Sequence, residues 1–300
     1  MKKVLLALAL CASFGATAQL VSVASVDKVD IAQGTSVSKV AAISPQGDYI
    51  LVTTDYNRGL TKVDLATGSS QVISQAQGAG HDVHISSDGT TVVYREKSTK
   101  DRMQMTSVKS KNLATGAERQ LVEPARTVQA VAIDGNTAVT IEGGKLQQQS
   151  LVGGQARVSA PVLSSENFQL MITQDGNKRE FMPLGKQYRY IWASMSPDAG
   201  KVLFVCSGKG AYVCNTDGTG LRWLGRYQAP KWMNNELVVA MDCTDDGEVF
   251  TSSQIVVLDL NGTKQVLTGD DVIAMYPLPA TGKIAFSTPT GEAFIINLNK

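Results

Sequence analysis

Histidine is the scarcest chemistry-bearing residue here: this chain of 300 carries two, His81 and His84, both inside GAGHDVHISSDG. A Ser-His-Asp triad would have to use one of them, and no G-x-S-x-G elbow exists to supply a nucleophilic serine. On a strand their odd spacing sends the two rings to opposite faces, which excludes joint chelation of one ion. The better reading packs His81 against a neighbouring turn at the entry to an inner strand. Charge of one sign is lacking too. Twenty-eight Lys and Arg against 27 Asp and Glu leave a net charge of +1, too little to collect nucleic acid or anionic lipid. Beyond residue 18 no apolar run approaches the ~18 residues of a membrane span. Helix-length periodicity is absent as well, whereas 27 glycines recur at regular turn positions.

Residues 1–18 read as a secretory leader: Lys2 and Lys3, an apolar run from Val4 to Leu10, then Ala16-Thr17-Ala18 as a small-residue cleavage site. Cleavage before Gln19 exports a protein expected in the periplasm of a Gram-negative cell. Leu10 ahead of Cys11 is too large for the lipoprotein alternative. The exported part keeps Cys206, Cys214 and Cys243, an odd count that leaves at least one thiol unpaired. Cys206 and Cys214 flank one hairpin. A turn centred on Lys209 pairs Cys206 with Tyr212 and Phe204 with Cys214, which sets the cysteines about 7–8 Å apart as diagonal neighbours. That is too far for an unstrained bridge.

What the chain has in quantity is repetition. Residues 190–225 (YIWASMSPDAGKVLFVCSGKGAYVCNTDGTGLRWLG) split into four short apolar runs joined by Ser-Pro-Asp-Ala-Gly, Gly-Lys-Gly and Asn-Thr-Asp-Gly turns. The later half of this module recurs as VDLATGSSQVIS at 63–74, KNLATGAERQLV at 111–122 and LDLNGTKQVLT at 258–268. Its first turn recurs as ISPQGDYILV at 43–52 and ISSDGTTVVY at 85–94. A four-stranded meander repeated along a chain predicts an all-β fold, a single β-propeller of four-stranded antiparallel blades. The S-P-D-G turn followed by D-x-x-G resembles the WD40-like repeat of the TolB family of periplasmic propellers, over residues 36 to 300. That resemblance implies a propeller that contacts an outer-membrane, peptidoglycan-associated lipoprotein. TolB carries a separate α/β domain ahead of its propeller, whereas only residues 19–34 precede the first blade here. The Tol partnership is therefore not carried over.

Spacing of the turn glycines at 68, 116, 218 and 262 predicts six blades, with seven as the alternative. The wide interval holds one blade from Val128 to Leu184 with an extra hairpin near residues 145–158. The last blade stops a strand short at Asn299-Lys300, and the alternating stretch 21–31 (VSVASVDKVDI) is the candidate closing strand. The propeller domain thus spans residues 19–300, with blades from about 36 onward.

Tyr188, Arg189, Arg226, Tyr227 and Lys231 are the candidate binding residues. They lie in or just after the connections into successive inner strands, at one mouth of the channel, and supply the side chains that anchor interfaces. Trp192 and Trp232 are expected in the inter-blade core. The acidic run from Asp242 to Glu248 lacks the D-x-D-x-D-G spacing of a calcium loop and reads as a hairpin tip. No catalytic residue, metal ligand or cofactor is expected. The expected role is non-enzymatic binding of an envelope protein or peptide by a monomer, with no nucleic acid and no membrane span. The alternative is an envelope hydrolase or lyase acting on glycan or peptide with a pair of channel carboxylates.

Overall fold

A four-stranded unit that is apolar on both faces must be covered twice, and a closed ring of such units covers every face. The computed structural model describes residues 19–31, 37–142, 145–153, 156, 158 and 160–299; the predicted leader lies outside them. Seven antiparallel sheets form the propeller, their inner strands meeting in sequence round the ring. The first blade comprises Lys39–Ile43, Tyr49–Thr53, Leu60–Asp64 and Ser70–Ser74, and the second His84–Ile85, Thr91–Lys100, Met103–Asn112 and Glu118–Ala125. The third (Val128–Asp134, Thr137–Glu142, Lys145–Ser150) and fourth (Val162–Glu166, Gln169–Gln174, Asn177–Glu180) have three strands each. Four-stranded order returns in the fifth (Tyr190–Met195, Lys201–Cys206, Gly210–Asn215, Arg222–Gly225) and sixth (Gln228–Trp232, Leu237–Asp245, Phe250–Asp259, Lys264–Val266). The seventh joins Met275–Ala280, Lys283–Ser287 and Ala293–Leu298 to Val23–Lys28.

The repeated turns have a chemical reason. Ser44, Ser86 and Ser196 are buried, and each hydroxyl accepts the N–H that starts the following strand: from Tyr49 at 3.2 Å, Thr91 at 2.9 Å and Lys201 at 2.9 Å. The aspartate of the same turn accepts a hydrogen bond from that hydroxyl, as Asp88 does at 2.6 Å and Asp198 at 2.6 Å. In the second type of turn Asp64, Asn112 and Asp259 each cap two following backbone N–H groups. Side chains thus satisfy the backbone wherever the ladder stops.

Seven blades stand where turn spacing predicts six, because the 128–184 segment is two incomplete blades. Tyr190 N–H bonds Phe168 O at 2.9 Å, as Gly80 N–H bonds Asn57 O at 3.2 Å at the junction of the first and second blades. Asn57 lies between the second and third strands of its blade, so the Asn167-Phe168 turn occupies that position in the fourth. The fourth blade holds counterparts of strands two to four, and the third those of strands one to three. One D-x-x-G-like turn, at Asp175-Gly176, serves both, so counting such turns returns one blade. Among the described residues the junction of these two blades carries no buried apolar cluster. Apolar clusters fill the other six interfaces. Between the third and fourth blades lies a cleft of about 390 Å³ lined by Ile141, Leu146, Val162 and Lys178 among others.

The ring closes with the N-terminal strand, as predicted. Val26 pairs with Ile296 and Lys28 with Phe294, making Val23–Lys28 the outer strand of the seventh blade.

The cysteines follow a different register from the predicted one. Lys209 N–H bonds Cys206 O at 2.9 Å, so the turn centres on Gly208 and Cys206 faces Gly210 while Cys214 faces Val202. This moves the two further apart than diagonal neighbours, and Cys206, Cys214 and Cys243 are all free. Burial pushes the Cys214 thiol up to about 12 and, with Asp242 and Asp245 nearby, Cys243 to about 11. We therefore expect these three thiols to alkylate slowly at pH 8 in the native protein and rapidly once denatured, without reductant. Mass mapping of a Cys206–Cys214 bridge would contradict this register.

Candidate functional site

Three consecutive inner strands carry the same defect. Ile191 pairs with Val205 and Ser194 with Leu203, so Trp192 and Ala193 together face one residue; Ala229-Pro230 and Tyr276-Pro277 do likewise. The first residue of each pair has a left-handed backbone: φ is 49° at Trp192, 46° at Ala229 and 55° at Tyr276. Asp82, two residues before His84 on the second inner strand, shares it at φ 54°. Proline suits the second bulge position because it has no N–H to leave unpaired. A left-handed backbone costs a non-glycine residue about 1–2 kcal/mol; here it leaves Trp192 and Tyr276 more than a third exposed, while Ala229 packs in the core between the sixth and seventh blades.

Trp192 therefore departs from expectation. It is 38% exposed and outside the apolar clusters, while Trp232 does pack between the fifth and sixth blades and donates its indole N–H to Ser194 O at 3.3 Å. The two tryptophans are not register equivalents; Trp192 matches Tyr276, which is 37% exposed.

The second blade adds a charged cluster. Arg95 Nη2 lies 2.6 Å from Asp82 Oδ2, and His84 Nε2 lies 3.3 Å from Asp82 Oδ1 without an aligned hydrogen bond. Burial works to raise the Asp82 carboxyl, but His84, Arg95 and His81 outweigh it and hold the group well below the ordinary carboxylate range. His81 is exposed rather than tucked against a turn, and its imidazole is pushed down by burial and by Arg95, Lys39 and Lys97. The segment is seated by Gly80, where a Cβ would stand 2.1 Å from Thr53 Oγ1 of the first blade.

Lys231 is the one sequence-predicted residue that joins this cluster. It sits two residues past the bulge on the sixth inner strand, the position that His84 and Ser194 hold on theirs. The side chain is open to solvent yet ringed by protein, as expected inside a channel. Burial lowers its pKa and Asp82 partly offsets this. Asp82 belongs to the second blade, so the two groups sense each other across the central channel.

The other four predicted residues gather around the turn that joins Lys201–Cys206 to Gly210–Asn215. Ser207 N–H bonds Arg189 O at 2.9 Å, the Lys209 ammonium lies 4.8 Å from the centre of the Tyr188 ring, and Trp223 donates to Lys209 O at 3.0 Å. Gly210 abuts the Gly225 carbonyl and Arg226 Cα so closely that a Cβ would reach 2.3 Å from the carbonyl oxygen. Arg189 lies over Phe168 at 5.2 Å, and both Arg189 and Arg226 are exposed. Tyr188 and Tyr227 are half-buried against inter-blade clusters, so each has an apolar body fixed in the fold.

The acidic run ends in a hairpin tip: Asp242 to Asp245 close the strand Leu237–Asp245, and only Asp246, Gly247 and Glu248 lie in the turn. Asp242 pairs with Lys264 at 2.9 Å, and Asp245 and Asp246 cap the backbone of their own turn. Among the described residues no three His, Cys, Asp or Glu side chains cluster to hold a metal. Sequence reasoning missed Asp82, Arg95, Lys39 and Tyr276. Pro230 and Pro277, four residues after Arg226 and two after Met275 on inner strands, were the available signal of bulges.

No family model matches the chain, and no curated protein matches it in sequence. Among solved structures, a chain of a mitotic checkpoint complex is similar over 96% of both chains, with a TM-score of 0.62 at 9% identity; the likeness shows the propeller fold. The chain is also similar to TolB from Acinetobacter baumannii, with a TM-score of 0.49 at 15% identity, over 78% of this chain and 54% of that one. An oligogalacturonate lyase in complex with manganese is similar with a TM-score of 0.47 at 18% identity, over 86% of this chain and 76% of that one. At such values neither likeness bears on activity.

Proposed function

We propose that this chain is a non-enzymatic, exported propeller that binds a protein or peptide of the cell envelope at the channel mouth formed by the fifth and sixth blades. The observation that supports it most is the grouping of Tyr188, Arg189 and Arg226 around the 207–209 turn, with Tyr227 beside Gly225. Exposed guanidinium groups next to tyrosines whose bodies are held by packing are the usual composition of an interface hot spot. Asp82 argues in the same direction. A carboxylate held ionised by Arg95 and His84 is a poor general acid, so it does not supply the proton donor that a two-carboxylate hydrolase needs. Export to the periplasm rests on the leader-like residues 1–18; no helix among the described residues is long and apolar enough to cross a membrane.

Replacing Arg189 and Arg226 together with Ala should abolish capture of an envelope protein by the immobilised chain. Stability should fall by only about 0.5–1 kcal/mol, the loss of one exposed cation–π contact. Capture equal to that of the unaltered protein, or a stability loss large enough to account for the change, removes this reading.

A further inference from the structure

We infer that the channel behind this face is a binding site for the carboxylate of an acidic peptide segment, with Lys231 as its cationic contact and Trp192 and Tyr276 as its aromatic walls. The inference deepens the proposed function, naming the chemistry of the part of the partner that enters the channel.

Three observations carry it. The bulges place Asp82, Trp192 and Tyr276 at one level of the ring, and His84, Ser194 and Lys231 at the next. Two bulky aromatic residues kept in a left-handed backbone, more than a third exposed and outside the core, gain nothing for the fold from being there.

The charges around them are also unbalanced. Arg95 and Lys231 both act on the Asp82 carboxylate, whose two oxygens already face Arg95 and His84, while Lys39 and Lys97 add positive charge near His81. Lys231 makes no hydrogen bond or ion pair among the described residues. A channel walled by protein focuses such a surplus and draws an anion in.

Polar atoms there also lack hydrogen bonds: Arg95 Nε and Ser194 Oγ are buried without one, and His84 Nε2 has only the Asp82 carboxylate at 3.3 Å, out of line. Polar groups inside proteins are normally satisfied, so clustered exceptions on the second blade and at the matching level of the fifth mark a polar site that is incomplete alone.

The chemistry favours a peptide carboxylate over a sugar. Recognition of sugar hydroxyls uses free planar carboxylate or amide side chains, and Asp82 is engaged. What the ring offers is positive charge between two aromatic faces, which suits an extended acidic segment whose backbone lies on the rings.

The test uses the purified chain and fluorescein-labelled hexaglutamate, read by anisotropy. Hexaglutamate should bind at low salt, weaken as salt rises, and exceed hexaglutamine by about tenfold or more, as expected for a charge-driven contact. Lys231→Met should weaken binding about tenfold at an unchanged melting temperature. Trp192→Gly should weaken it several-fold while holding or raising that temperature, since glycine adopts the left-handed backbone freely. Equal binding of hexaglutamine, full binding by Lys231→Met, or binding of trigalacturonate in place of hexaglutamate overturns the inference. A chain that captures an envelope protein but ignores hexaglutamate also overturns it and leaves the outer face standing. Hexaglutamate binding with no envelope capture keeps the channel site and removes the partner reading.

Discussion

Removing residues 19–34 should leave a chain that no longer unfolds as one cooperative unit and that associates through its seventh blade. The stretch does more than add a strand. Val23 and Val26 pack on the cluster between the sixth and seventh blades, together with Leu20 and Val21, while Val29 and Ile31 pack on the cluster between the seventh and first. Six half-buried apolar side chains at about 1 kcal/mol each amount to roughly 6 kcal/mol, half the scale for full burial. That is as large as the whole stability of many domains. Polar clasps add to it. Gln265 of the sixth blade accepts from Leu20 N–H at 2.7 Å and Val21 N–H at 2.9 Å and donates to Val21 O at 2.8 Å. Asn299 bonds Ser22 through backbone and side chain, and Lys28 pairs with Glu292. Without the segment, Ala293–Leu298 becomes an open edge that is apolar at every position but Asn297, a template for pairing between molecules. Light scattering and a thermal scan decide the matter. A deleted protein that stays monomeric and melts with the intact one contradicts closure by this strand.

Gly80→Ala should destabilise the protein strongly for the addition of a single methyl. The added Cβ would meet three atoms of Thr53, at 2.1, 2.2 and 2.7 Å. Thr53 is 1% exposed and its hydroxyl donates to Gly59 O at 2.8 Å, so rotating it away breaks a buried bond. Overpacking of this kind costs about 1–3 kcal/mol when the backbone yields. The backbone that yields leads directly to His81 and Asp82, so hexaglutamate binding should fall together with stability. Thr53→Gly removes all three of these atoms and empties the contested volume. The double variant should therefore be more stable than Gly80→Ala alone, a favourable coupling that a double-mutant cycle measures. If the two effects simply add, the contact is not the cause.

Much of this protein was legible from local chemistry. The Ser-x-Asp turns and the D-x-x-G caps are satisfied within a few residues of themselves, so their repetition announces strand ends wherever it occurs. The missing last strand was legible for a related reason: an apolar edge must be covered, and residues 21–31 alternate correctly to cover it. That the acidic run around Asp246 joins two strands of one blade was legible from its place between two apolar runs. Blade number did not, because the third and fourth blades share one set of turns and only the bond from Tyr190 to Phe168 shows which strands are absent. Nor did the channel. Asp82 and Lys231 stand on opposite blades, and no pattern along a chain records a meeting across an axis. The expectation that Trp192 shares the inter-blade core with Trp232 rests on their similar places in adjacent blades, and the bulges break that equivalence: Trp192 is the first residue of its bulge, while Trp232 lies beyond the bulge of its own strand. The sequence by itself determined the repeating unit and its closure, through interactions that are local or obligatory. Which side chains face one another across the ring was decided by the tertiary structure, because the bulges and the blade count set that geometry together.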